Sequence, residues 1–438
     1  MVLTWVAISG AATRNRKFNF ILCGLSNLLS ELPLSVMIMD ACFYTWLNVT
    51  GTFQESLLVR FFYYTNIITA VGLLYLFKRS FDVQQVGQHY VDHLSKEGNG
   101  WLRMELPGPS SLKFWQQILN PFYGPRDYTL YENIPYWTSQ EQLSAQESDG
   151  WKSVGDMELD IYQPHSIQAG DDRPVLFYMH GGGWTMGSKK IIGPLLTEMI
   201  FYDWIVVSVD YRLSTKAGYP TQLIDCKRAL RWVKEEIQVF GGDPSNIIVA
   251  GDSAGGQMAC LLASTANLPE YQPGFEKVDT TVQGVLGLSP VVNLLDSKDI
   301  CNHPCRARFI KEVAKREGSP ESAENLEFLQ EHSPTFRIKG TGVPHMMIHG
   351  DIDTLTPVQH TRDFVEKFRK TCAAPITYLE IPGGHHCFHL ISSPRSWYMV
   401  FAVSQWLNYH FDGIHNIDPK ANARKKQIHE LVEWGWSS

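Results

Sequence analysis

Gly251-Asp252-Ser253-Ala254-Gly255-Gly256 is the segment that most restricts what this chain can fold into. It fits a G-x-S-x-G turn. The run Asn246 to Ala250 before it reads as a short buried strand, and Gln257 to Ala266 after it as a small-residue helix. A strand that passes into a helix through so tight a bend pushes the Ser253 hydroxyl outward, where a base can reach it. Gly251, Gly255 and Gly256 remove the Cβ atoms that would block the bend and the close approach of helix to sheet. Five residues of this kind also occur in ordinary turns, so the rest of the chain decides their meaning.

Upstream, the apolar strand Pro174 to Met179 runs into His180-Gly181-Gly182-Gly183-Trp184, whose glycines leave backbone N–H groups to point at an oxygen. With the N–H of Ala254 they make a candidate oxyanion hole. Such a glycine run can also cradle a phosphate, but no GxGxxG or Lys-Ser/Thr pattern supports nucleotide binding here. Downstream, Val343 to Gly350 ends a strand at a loop carrying Asp351 and Asp353, and Pro357 opens an amphipathic helix. Ile376 to Leu379 is a further strand, followed by Pro382-Gly383-Gly384-His385-His386-Cys387-Phe388-His389. The chain order is therefore serine, aspartate, histidine. Position alone leaves two aspartates and three histidines open.

These residues resemble the α/β-hydrolase superfamily and, within it, the HGGGW and GDSAGG esterases that include the hormone-sensitive-lipase-like carboxylesterases. The resemblance covers roughly Met157 to Tyr409 and takes in Leu159 to Pro164, Asp210-Tyr211-Arg212-Leu213 and Gly241 to Asn246. It implies a mostly parallel central sheet flanked by helices. The family's HGxxD pattern falls on His349 to Asp353, which makes Asp353 the triad acid and Asp351 a solvated or structural neighbour. Its PGxxHGF pattern falls on His386, with Cys387 in the position of the usual glycine. Asp252 is expected to support the elbow without taking part.

The implied chemistry is nucleophilic. A serine hydroxyl attacks a carbonyl well only when an imidazole accepts its proton. His386 is that base, Asp353 fixes its tautomer, and the N–H groups of Gly182, Gly183 and Ala254 meet the oxyanion, with an acyl-enzyme following. Relatives by resemblance act on esters, on acetyl amides or on formamides, and a non-catalytic hydrolase-like binding protein is the remaining class. The last would lack a triad member, and Ser253, Asp353 and His386 are all present.

With 438 residues there is room for two or three average domains, although an α/β fold often uses roughly 250 residues in one. A net charge of -7 offers no basic surface to a nucleic acid. The eight cysteines stand at no metal-ligand spacing, so neither metal nor cofactor is expected. Cys301 and Cys305 either close a small disulfide loop or stay reduced.

The amino-terminal quarter differs in kind. Phe61 to Phe77 is uncharged throughout and is stopped by Lys78-Arg79, which reaches the lower limit of about 17 residues for a spanning helix. Pro33 to Val49 is a weaker second pass, giving either one anchor or a hairpin. No removable signal peptide is expected, because the start lacks the basic-then-apolar layout with a cleavage site. Basic residues on both sides, Arg14, Arg16 and Lys17 before and Lys78-Arg79 after, favour a hairpin with both ends cytoplasmic. The Asn48-Val49-Thr50 sequon lies so near the bilayer edge that it is expected to stay unglycosylated.

The expected organisation is a membrane anchor over 1–80, a linker or helical cap over 81–155, a catalytic domain over 156–412 with a lid insertion at 293–340, and a tail over 413–438. In the lid, Arg306, Arg308, Lys311, Lys315 and Arg316 either meet anionic head groups or form a solvated face. The expected protein is a membrane-anchored serine carboxylesterase acting on an apolar or lipid-like ester, with the endoplasmic reticulum among the candidate membranes. Every expected catalytic residue lies beyond His180. Removing residues up to Arg79 is therefore expected to free the protein from membranes and spare the hydrolysis of soluble esters.

Overall fold

The computed structural model describes residues 16–52, 56–87, 115–116, 119, 127–143, 157–296, 305–340 and 342–411. Among the described residues three helices come first: α1 (Arg16–Glu31), α2 (Pro33–Val49) and α3 (Leu57–Arg79). Pro33 at the start of α2 lacks a backbone N–H and keeps Leu32 out of the helical region, so the chain turns by 86° between Gly24–Glu31 and Pro33–Val49. The Ser56 side chain caps α3 by accepting the N–H of Val59, and Lys78 and Arg79 sit in its last turn, where positive charge favours the carbonyl end of a helix. Leu73 and Leu76 of α3 pack with Leu29, Val36 and Met37, joining all three helices.

The longer elements that follow are β1 (Tyr128–Pro135), β2 (Glu158–Pro164), β3 (Arg173–Met179), α4 (Pro194–Phe201), β4 (Ile205–Val209), α5 (Thr221–Glu236), β5 (Gly242–Asp252), α6 (Ala254–Ser264), β6 (Gly284–Leu288), α7 (Ala323–Glu331), β7 (His345–Gly350), α8 (Val358–Thr371), β8 (Ile376–Ile381) and α9 (Pro394–Phe411). The strands form one eight-stranded sheet in the order β1-β2-β4-β3-β5-β6-β7-β8. β2 runs antiparallel to both its neighbours, and every pair from β4 to β8 is parallel. Parallel strands need crossovers that cover both sheet faces, which is why the central strands are apolar on both sides. Along β3, Val175, Phe177 and Met179 join a core with Leu223 and Leu230 of α5, Met258 of α6 and Phe364 of α8. The alternating Leu176 and Tyr178 join a second core with Leu195 and Met199 of α4 and Tyr398 and Trp406 of α9.

This is the α/β-hydrolase layout that the resemblance implies. The sheet reaches further toward the amino terminus than the hydrolase motifs do. β1 lies in the stretch read as linker or cap and pairs along β2, from Tyr128 opposite Pro164 to Pro135 opposite Glu158. Most of the rest of 81–155 lies outside the described residues, including Trp101-Leu102, Ile118 and Phe122-Tyr123, as does the tail 413–438. Cys301 and the Cys305 side chain also fall outside them, and with them the disulfide expectation.

Candidate active site

The candidate catalytic residues lie at the carboxyl edge of the parallel strands. Ser253 follows β5 and precedes α6, with φ 53° and ψ −114°. A non-glycine residue held there costs about 1–3 kcal/mol, which the surrounding packing has to supply. Three backbone bonds hold the bend: the Ser253 N–H donates to Leu288 O at 2.9 Å, and its carbonyl accepts from Gln257 and Val291. A Cβ on Gly255 would stand 2.0 Å from Met179 O, so the close approach of α6 to β3 requires glycine at that position.

Asp353, after β7, and His386, after β8, meet with His386 Nδ1 2.7 Å from Asp353 Oδ2. With Nδ1 carrying the proton toward the carboxylate, Nε2 is left as the basic nitrogen. The carboxylate is further held by the N–H groups of Leu355 and Thr356 at 2.8 and 2.9 Å, by the Thr356 hydroxyl at 2.8 Å and by His349 Nε2 at 3.2 Å. Burial pushes the Asp353 carboxyl up, but the His386 charge and the bonds from both histidines outweigh it and hold the group well below the usual carboxylate range. Burial likewise pushes the His386 imidazole down, and the facing Asp353 charge raises it well above its ordinary value. Thr356 also links the pair to the elbow, since its hydroxyl lies 3.3 Å from the carbonyl of Ser289, next to the Leu288 carbonyl that holds Ser253.

The glycine loop after β3 is positioned by Asp252, the residue before the serine. Its Oδ1 accepts the Gly181 N–H at 2.7 Å and the Tyr178 hydroxyl at 2.6 Å. Tyr211 donates to the His180 carbonyl at 2.7 Å and stacks on its ring, while the next residue, Arg212, is fixed by a two-bond pair with buried Asp225. Gly182 and Gly183 have φ 118° and 59°. Among the described residues the N–H groups of Gly182, Gly183 and Ala254 donate to no other backbone group, and Ala254 opens α6, where the helix field favours negative charge.

The other candidates separate on geometry. Asp351 accepts the Gly383 N–H at 2.6 Å and lies 3.8 Å from Arg79 at the end of α3, so it supports the histidine loop as a structural neighbour. His389 is buried behind the site, and burial pushes its imidazole down to about 4. His385 is buried as well. In the 293–340 insertion, Arg308 donates to the Gly183 carbonyl at 3.2 Å, and Arg316 binds Asn325 and lies over the Phe328 ring, so these two do not belong to a solvated basic face. Tyr178 and Thr356 were not singled out from sequence, and His349 entered only as the first residue of the HGxxD pattern. Nothing local marks a threonine three residues past an aspartate as a partner for a histidine thirty positions later.

Over residues 159–368 the chain matches the BD-FAE family. A probable carboxylic ester hydrolase of Mycobacterium tuberculosis (strain ATCC 25618 / H37Rv), LipM, is 36% identical over 250 residues, which are 57% of this chain and 57% of that protein. Esterase LipQ of the same organism is 33% identical over 279 residues, 63% of this chain and 65% of that one. Over the matched residues the chain is similar to carboxylesterases of the α/β-hydrolase group. It spans less than two thirds of the length of these relatives. The truncated form of a carbohydrate esterase from gut microbiota shares the fold at 21% identity and a TM-score of 0.51, covering 65% of this chain and 99% of that structure.

The glycine loop gives a direct expectation. A Cβ on Gly182 would lie 2.1 Å from the Met186 carbonyl oxygen, and its φ of 118° is closed to other residues. Gly182→Val should turn the loop N–H groups away from the oxyanion position and lower kcat by about 100-fold or more, with little change in KM, because the donors act on charge that develops in the transition state. A steady-state comparison of the two proteins on one ester checks this. A defect confined to KM would remove the loop from the chemistry.

Proposed function

We propose that this protein is a membrane-anchored serine carboxylesterase that hydrolyses an apolar or lipid-like ester. The observation that carries the reading is a serine in a strained strand-to-helix bend on the same strand edge as a buried Asp353–His386 pair joined at 2.7 Å. Ser253 Oγ attacks the ester carbonyl carbon while its proton passes to His386 Nε2. The N–H groups of Gly182, Gly183 and Ala254 hold the oxyanion, and Asp353 stays ionised against the imidazolium. As the tetrahedral intermediate collapses, His386 protonates the departing alcohol and an acyl-Ser253 ester remains. Water then attacks that ester, giving its proton to His386, and the acid leaves as Ser253 regains its hydrogen.

The anchor is supported by α3. At 23 residues it is about 34 Å long, enough for a hydrocarbon core of roughly 30 Å, and only 6% of its most apolar stretch is covered by the rest of the chain. α2, with 17 residues, is about 25 Å long and is the weaker second pass. The carboxyl end of α3 stands against the catalytic body: Arg79 faces Asp351, Phe81 lies edge-on to Tyr398, and Val83 enters the core beside α4 and α9. A spanning α3 therefore holds the histidine-loop side of the domain at the bilayer surface, where an ester dissolved in lipid arrives. The basic Lys78-Arg79 end favours the cytoplasmic side.

Alkaline carbonate washing of membranes carrying the full chain tests the anchor, and the protein should stay in the pellet. Release into the supernatant with peripheral proteins would contradict a spanning helix. Paired esters and amides of the same acids test the chemistry, with faster turnover expected on the esters. Preference for the amides would move the assignment to an amidase of the same fold.

A further inference from the structure

Helix α1 is turned inside out relative to a helix of a water-soluble domain. Ser26, Asn27, Ser30 and Glu31, spaced one turn apart on one face, are buried, whereas Ile21, Leu25 and Leu28 on the other face are exposed. The buried polar face lies on the loop that carries His386. Asn27 Nδ2 donates to the His386 carbonyl, across 359 positions of sequence. Glu31 pairs with Arg395 and accepts the Ser393 hydroxyl at 2.6 Å. Arg395 in turn donates through Nε to Pro382 O at 3.0 Å, at the start of the same loop.

A buried ion pair persists only where further bonds meet its desolvation cost, and here those bonds run from α1 through Arg395 into the Pro382–His386 turn. An outward apolar face is stable where it meets lipid. The two faces together suit α1 to a place between lipid and the catalytic domain, with its polar side on the histidine loop.

We propose that Asn27 and Glu31 are positioning residues for His386, so that hydrolysis of any ester, soluble or lipid-borne, requires the amino-terminal helix to be docked. The proposal rests on His386 being the catalytic base. It revises the expectation that removing residues up to Arg79 spares soluble-ester hydrolysis, since that cut takes away Asn27, Glu31 and the Arg79 contact to Asp351.

The test uses the full chain in detergent, with p-nitrophenyl acetate as the probe. Asn27→Ala and Glu31→Gln should each lower kcat by about tenfold with KM little changed, the size expected when one bond to a buried group is lost. The rising limb of their pH profile should move to lower pH, because a loosened His386 gains less from the Asp353 charge. Leu28→Ser, on the outward face, should hydrolyse the probe like the parent protein. Parental kcat and pH profile in both position variants would overturn the proposal, and if one variant fails to fold, the other decides. Ser253→Ala is run beside them. Hydrolysis that survives in Ser253→Ala would sink the catalytic reading itself, whereas normal rates in the α1 variants with an inert Ser253→Ala would remove only the role of α1.

Discussion

Ser253→Ala should lower kcat by about a million-fold while leaving the protein folded, since removing the nucleophile from a triad of this kind typically costs that much. The size of the loss follows from how the parts depend on one another. Without the hydroxyl, His386 has no proton to accept and the oxyanion donors stabilise only slow direct attack by water. The fold should survive because the bend is held through backbone bonds to Leu288, Gln257 and Val291, none of which involves Oγ. Replacing serine by alanine leaves the strained backbone in place, so a modest change in Tm is expected, and thermal unfolding beside the rate assay separates lost chemistry from lost structure.

Asp353→Asn should lower kcat by about 10,000-fold, because the amide presents an N–H to His386 and favours the wrong tautomer. It should also move the pH profile. In the parent protein the Asp353 charge outweighs burial and raises His386 above its ordinary value, so kcat/KM should climb with pH through a midpoint above about 6.5, as the imidazolium gives up its proton. In the variant that midpoint should fall. Stability follows the same linkage. The raised histidine stabilises the fold fully below its unfolded value of about 6.5, and that contribution is lost as pH rises through the folded value. The depressed aspartate stabilises above about 3.9, and its share is lost as pH falls toward the lower folded value. Both describe one coupling, seen from its two ends. A pH–rate profile with an unmoved midpoint in Asp353→Asn would break the link between the two residues.

The elements around the site were legible because local chemistry specifies them. The continuous apolar run Val175 to Tyr178, the run Asn246 to Ala250 and the glycines at 251, 255 and 256 announce two buried strands and a close-packed elbow, and all are present, with the strand before the elbow longer and the helix after it starting three residues earlier than expected. Asp252 was read as a support for the elbow, and its bonds to Gly181 and Tyr178 give that support a physical form. What was hidden depends on distant partners. β1 carries little apolar alternation and exists because β2 offers an open edge. Thr356 matters only once β7 and β8 lie side by side. Asn27 and Glu31 carry no local signal of their role, since the groups they bond lie in a loop and a helix start near the other end of the chain.

The most direct test of the account is fluorophosphonate labelling of the full-length protein in membranes, followed by peptide mapping of the adduct. A single phosphonylated residue at Ser253 is expected, formed faster as pH rises through the His386 transition and absent in Ser253→Ala. An adduct on any other residue, or ester hydrolysis that continues undiminished in pure Ser253→Ala, would contradict it.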